Sequence, residues 1–228
     1  MTELSIGDRV RSILASLPEG VLLVGAAKMR SPDEARAAIE AGLPAIGHNY
    51  VQQAEAMQQA LGEWQAQSER PVRWHLIGHL QRNKAKKAVA LFDMIETIDS
   101  AHLARAVDGH CAAIGKVMPV FIEINSGRES NKTGVAPERA EEFAREIGGL
   151  EHLHLRGLMT MGPRFGDPED ARPYFRLTKE LFDSLSSADL GDGEMRYLSM
   201  GMSNTYKVAI EEGANIVRIG TDLFGERK

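Results

Sequence analysis

The chain is short of cysteine, of positive charge and of long apolar runs, and each shortage removes a class of explanation. One cysteine, Cys111, stands among 228 residues. It cannot close an internal disulfide, and it points to a reducing compartment and away from a cysteine-ligated metal. Lys and Arg number 27 against 32 Asp and Glu, a formal net charge of −5. The basic excess that a general nucleic-acid binder uses against phosphates is therefore missing, and no nucleic-acid partner is expected. No apolar run approaches the roughly 20 residues of a membrane span, so no membrane partner is expected either. Met1-Thr2-Glu3-Leu4-Ser5-Ile6 carries no basic n-region and no signal peptide, and the expected location is cytoplasmic. What is present, 43% hydrophobic and 26% charged residues, is the balance of a soluble globular chain with ample material for a core.

The organising stretch is Val21-Leu22-Leu23-Val24-Gly25-Ala26-Ala27-Lys28, an apolar run ending on a lone lysine. So apolar a run suits a strand buried on both faces, as in a parallel sheet. Leu22, Val24, Ala26 and Lys28 share one parity and would point the same way. Seven further apolar segments follow, at about residues 44–47, 72–77, 94–98, 118–125, 155–159, 196–199 and 215–219. Helical patterns separate them. Ser31-Pro32-Asp33-Glu34 has the form of a capping box with proline at the first helical position. Val51, Ala54, Met57, Leu61 and Trp64 make an apolar stripe, and Pro71 bars further helix. Asp167-Pro168 opens a long helix, and Ser203 is a credible N-cap for a helix reaching Glu212. Ser126 to Gly134 is a long polar loop. Eight strands alternating with helices predict an α/β fold, a single (β/α)8 TIM barrel of one domain over residues 1–228. A doubly wound open sheet has the same count.

In a barrel, active sites sit at the carboxyl ends of the strands. A lysine there is costly to bury charged, which would lower its pKa and sharpen it toward carbonyls; taken alone, a snorkelling surface residue is the plainer account of Lys28. Ser199-Met200-Gly201-Met202-Ser203 follows strand seven and Gly220-Thr221 follows strand eight. Those two loops often hold a phosphate in barrels, and glycine, hydroxyls and free helix-start amides suit that task. Turn and capping chemistry alone is the plainer account of either. Arg218, on an otherwise apolar strand, needs an acceptor: a structural ion pair, for instance with Glu123, or a ligand's heteroatom. An amine, a phosphate cup and an arginine together suggest a phosphorylated carbonyl compound. The candidates are a sugar phosphate in a Schiff-base aldolase and pyridoxal 5′-phosphate (PLP).

Further motifs run in order along the chain: Gly47-His48-Asn49-Tyr50-Val51-Gln52, Trp74-His75-Leu76-Ile77-Gly78-His79-Leu80-Gln81-Arg82-Asn83-Lys84, Ile124-Asn125 with Glu129, Lys132-Thr133-Gly134, Arg156-Gly157-Leu158-Met159 and Phe224-Gly225. With Ala27-Lys28 and the two loop motifs, the chain resembles the pyridoxal phosphate homeostasis protein family, whose fold is like the alanine racemase barrel domain. The resemblance implies that PLP is held as a covalent internal aldimine on Lys28. It implies that Ser199, Met200, Gly201, Gly220 and Thr221 hold the phosphate, largely through backbone amides. Arg218 would face the pyridine nitrogen and Asn49 would lie beside the cofactor. The family usually has Glu where this chain has His48, and again where it has Gln53; an imidazole at the cofactor's edge would change local charge and pH response.

The residues favour holding over turnover. Arginine keeps its proton and so disfavours a protonated pyridine, which weakens the electron sink. The resemblance implies that a racemase of this fold takes its second base, a tyrosine, from a C-terminal β-domain; this chain ends at Lys228, and a monomer is expected. His48, His75 and His79 are candidate bases, with hydrogen-bonded or solvent-facing histidine the plainer account. The basic stretch Arg82, Lys84, Lys86 and Lys87 is a candidate contact for apo PLP-dependent enzymes or for a second phosphate ligand, against a solvated helix face. A low-activity amino-acid racemase and the aldolase remain the alternatives to a PLP carrier in vitamin B6 homeostasis.

Overall fold

The computed structural model describes residues 4–68, 71–129, 132–163 and 166–226. Ser130 and Asn131 of the polar loop, and the terminal Lys228, lie outside them. Eight parallel strands close into a barrel in chain order, with β8 returning to pair with β1, so the open-sheet alternative falls away. The strands are β1 (Leu22–Ala26), β2 (Ala45–His48), β3 (Arg73–Leu76), β4 (Met94–Ile98), β5 (Met118–Ile124), β6 (Leu153–Thr160), β7 (Tyr197–Ser199) and β8 (Ile216–Ile219). The helices outside them are α1 (Ile6–Ser16), α2 (Pro32–Glu40), α3 (Val51–Ala66), α4 (Ala85–Leu91), α5 (Ala101–Ala112), α6 (Ala140–Gly148), α7 (Arg172–Ser186), α8 (Tyr206–Glu211) and α9 (Thr221–Phe224).

The period-two pattern sorts each strand into two apolar layers. Val24, Ala45, Ile77, Met94, Phe121, Met159 and Ile216 fill the barrel interior, with Leu22, Ala26 and Tyr197 beside them. Leu23, Ile46, Trp74, Ile95, Val120 and Val217 pack outward beneath the helices. The capping box at Ser31 forms in full: its hydroxyl accepts from Glu34 N–H, and the Glu34 carboxylate accepts from Ser31 N–H. Strand β6 comes so close to β7 that a Cβ on Gly157 would lie 1.8 Å from the Tyr197 carbonyl oxygen; only glycine fits there.

Three boundaries differ from expectation, each for a local reason. Strand β1 stops at Ala26. The next four residues form a turn closed by Arg30 N–H donating to the Ala27 carbonyl at 3.1 Å, with Met29 left-handed at φ 61°. Lys28 therefore stands in a turn, half-buried, beyond the strand end. The long helix after Asp167 begins at Arg172, because the Asp167 side chain caps a 3-10 turn, Pro168–Ala171, first. Helix α8 begins at Tyr206, so Ser203 is not its N-cap. The Ser203 hydroxyl instead accepts from Gly220 and Asp222 N–H, each at 3.4 Å, which ties the loop after β7 to the loop after β8. No helix among the described residues is long and apolar enough to cross a membrane.

Candidate functional site

The strand ends of β1, β2, β6, β7 and β8 open onto one cavity of about 970 Å³. Of the residues singled out in the sequence, Lys28, Asn49, Arg218, Gly220 and Thr221 line it. Ser199 and Met200 are fully buried below it, and Gly201 is buried beside them. The Met200 N–H is spent on the Ile216 carbonyl at 3.1 Å. Gly201 has φ 87°, and a Cβ there would meet Ala209 Cβ at 2.6 Å, so glycine lets this loop lie against α8. The cavity also takes in Ser203 and Asn204. Neither of their backbone N–H groups has an acceptor among the described residues. Two adjacent undirected amides beside the Thr221 hydroxyl suit an anionic oxygen cluster.

Lys28 sits at the rim with its Nζ 5.4 Å from the centre of the Tyr50 ring. Asn49 is held by the loop after β3: Gly78 packs so closely that a Cβ there would come within 2.5 Å of the Asn49 carbonyl oxygen. Arg30, buried at its side chain, joins the first loop to the last. It donates to Glu34 at 3.0 Å and to the Phe224 and Gly225 carbonyls, and lies over the Phe224 ring.

Arg218 forms the floor. It shares the inward parity of Ile216 and is 3% exposed. Its ion-pair partner is Glu96 of β4, 3.8 Å away, and not Glu123, the partner suggested by the sequence. Glu123 is held at Oε1 by Thr133 at 2.9 Å. Burial pushes the Glu123 carboxyl above its usual range, with the Thr133 hydrogen bond opposing. Glu96 was missed. The available signal was the one that revealed Arg218: a single charged side chain in an otherwise apolar strand.

His48 does not reach the cavity. It belongs to the outward layer, fully buried and stacked on Trp74 with ring centres 5.7 Å apart. Neither ring nitrogen has a partner among the described residues, and burial lowers its pKa from 6.5 to about 4. It is neutral at pH 7 and adds no charge. The unfolded chain takes up this proton near pH 6.5 and the folded chain only near 4. Stability is therefore full above pH 6.5 and is lost as the pH falls toward 4, by up to about 3 kcal/mol. Urea unfolding at pH 7.5 and 4.5 is expected to show that loss, and His48→Leu to remove most of it. An equal pH dependence in both proteins would contradict the assignment. The other two candidate bases, unlike His48, are engaged: His75 Nδ1 lies 2.6 Å from Glu96, and the half-exposed His79 lies 3.0 Å from Asp99.

A closed (β/α)8 barrel with its cavity between the last strands and a lysine beyond the first defines the class: residues 26–228 match the family model for the alanine racemase N-terminal domain. Within that class, the pyridoxal phosphate homeostasis protein of Aquifex aeolicus (strain VF5) is 40% identical over 206 residues, covering 90% of this chain and 87% of the relative. The structure of PipY from Synechococcus elongatus PCC7942 without PLP superposes with a TM-score of 0.88 at 32% identity, covering 96% of this chain and 100% of that one. The same protein with PLP bound gives 0.86 at 31% identity, with the same coverage. The chain belongs to the pyridoxal phosphate homeostasis protein family.

Proposed function

We propose that the protein, as one domain over residues 1–228, holds pyridoxal 5′-phosphate covalently on Lys28 and serves PLP homeostasis without catalytic turnover. The observation that carries this reading is the convergence on one cavity of an amine (Lys28), a buried guanidinium (Arg218) and an amide- and hydroxyl-bearing rim (Ser203, Asn204, Thr221). PLP presents an aldehyde, a ring nitrogen and a phosphate, and each has a counterpart of matching chemistry. PipY, whose structure has PLP bound, is 31% identical over 96% of this chain, which supports the same ligand here.

When bound, PLP supplies a carbonyl that condenses with amines and a ring that withdraws electrons. The rim amides of Ser203 and Asn204 and the Thr221 hydroxyl would bind the phosphate, with Gly220 allowing close approach. Ser199, Met200 and Gly201 would support that cup from beneath. Asn49 would flank the ring. Arg218 keeps its proton and so would leave the ring nitrogen unprotonated, which weakens the electron withdrawal that carbanion chemistry requires. The cavity lining includes no histidine among the described residues, and His48 and His75 are held outside and beneath it. Racemases of this fold tolerate such an arginine, as the resemblance implies, so what supports a carrier over a racemase is the homeostasis role named for the relatives.

The test is uptake. Protein incubated with PLP and dialysed is expected to show a visible absorption band that borohydride abolishes, and peptide mass mapping is expected to place the reduced adduct on Lys28. Absence of the band, or a full adduct on another lysine, would overturn the proposal. A colourless protein that borohydride links to a sugar phosphate would point to the aldolase.

A further inference from the structure

Below the cavity the barrel interior holds a second charge. Glu96 is fully buried on β4, where a carboxylate is costly unless its lone pairs are committed. Its Oε1 lies 2.6 Å from His75 Nδ1, and its Oε2 accepts from the Ser199 hydroxyl at 2.6 Å. Although burial opposes it, the hydrogen bonds from His75 and Ser199 and the nearby Arg218 hold Glu96 below the usual carboxylate range. It is therefore ionised and can only accept. That fixes the direction of every bond around it. The single proton of Ser199 points to Glu96, so its lone pair faces Arg218 Nη1, which donates to it. Arg218 Nη2 donates to the Thr160 carbonyl at 2.8 Å.

The guanidinium is thus gripped from β6 and β7, and its charge is balanced from β4. The other acid acting on it is Glu123 of β5, which burial drives toward its neutral form. On β3 the facing group is His75, whose Nδ1 is given over to Glu96. Glu96 is the counter-charge, and Ser199 is the link.

We propose that Glu96 is a positioning residue: through Ser199 it sets the plane of the Arg218 guanidinium and offsets its charge, and so governs how strongly Arg218 acts on the ring nitrogen of a ligand at the cavity floor. This rests on the reading of the cavity as a PLP site. Without Glu96 the guanidinium charge is unbalanced, and cationic forms of the bound ligand become harder to reach.

The experiment follows the visible band of PLP-loaded protein against pH. In Glu96→Gln the midpoint of the band change is expected to fall by about one pH unit, a tenfold loss of proton affinity. Glu96→Asp is the second variant, and it keeps the charge in the core. It draws the carboxylate back from Arg218 and is expected to give a smaller shift of the same sign. A purely structural role would lower the melting temperature and leave the midpoint where it was. A loaded variant, glutamine or aspartate, whose band follows the wild-type curve at every pH overturns the inference alone. Wild-type protein that takes up no PLP overturns the ligand reading, and this inference with it.

Discussion

Lys28→Ala is expected to abolish the borohydride-stable PLP adduct and the visible band while leaving the fold in place. The two effects separate because of where the side chain stands. It lies beyond the end of β1, half-buried in a turn that backbone bonds close without it. Its Nζ lies over the half-exposed Tyr50 ring at 5.4 Å. A cation–π contact at such a site contributes about 0.5–1 kcal/mol, a shift in melting temperature of a few degrees at most for a chain this size. The chemical loss is total, because no other amine is proposed for the tether. Rim and floor contacts would still bind PLP reversibly, so the variant is expected to gain a spectrum in excess PLP and lose it on dialysis. A Lys28→Ala protein that keeps a full adduct after dialysis and reduction would show that another lysine is the anchor.

Gly157→Ala is expected to be the most damaging small substitution in the barrel. The added methyl would lie 1.8 Å from the Tyr197 carbonyl oxygen and 2.7 Å from its carbonyl carbon, both backbone atoms with no rotamer to escape into. Strand β7 has three residues, Tyr197–Ser199, so pushing Tyr197 away also displaces Ser199, which links Glu96 to Arg218. A loss of about 3 kcal/mol or more is expected, read as a lower urea midpoint, together with weaker PLP retention. Gly25→Ala is the control: its Cβ would meet the Leu43 Cδ2 methyl at 2.6 Å, a side-chain tip that can turn aside, and the cost should be clearly smaller. Equal costs at the two sites would mean that β7 can shift freely and that the close approach carries no constraint.

The alternation of apolar strands and amphipathic helices was legible because each unit buries its own faces locally. Parity placed Arg218 on the face of Ile216 but left open whether that face is the barrel interior or the helix side; the closed barrel puts it inside. The partner of Arg218 was not legible. Whether Glu96 or Glu123 meets Arg218 depends on how far each strand is staggered around the closed barrel, and parity within one strand carries no information on stagger. The same holds for His48. Its place in a motif suggested the mouth, but it alternates with Gly47 and so faces the helices. Ser203 was singled out as a cap because its type and position suit one. Its hydroxyl turned instead to amides of the loop after β8, a contact between chain segments that no local pattern encodes.

The clamp made by Arg30 has a consequence for how the protein is born. Lys28 belongs to the first βα unit, whereas Arg218, Thr221 and the carbonyls that Arg30 grips belong to the last. During synthesis Lys28 emerges from the ribosome long before Arg218 and Thr221 exist. The cavity is completed only when β8 docks beside β1, one of the most non-local pairings the chain makes and an entropically slow one. PLP binding would then act as a latch on ring closure, favouring the closed barrel by mass action and drawing off the late, open-edged intermediates that invite aggregation.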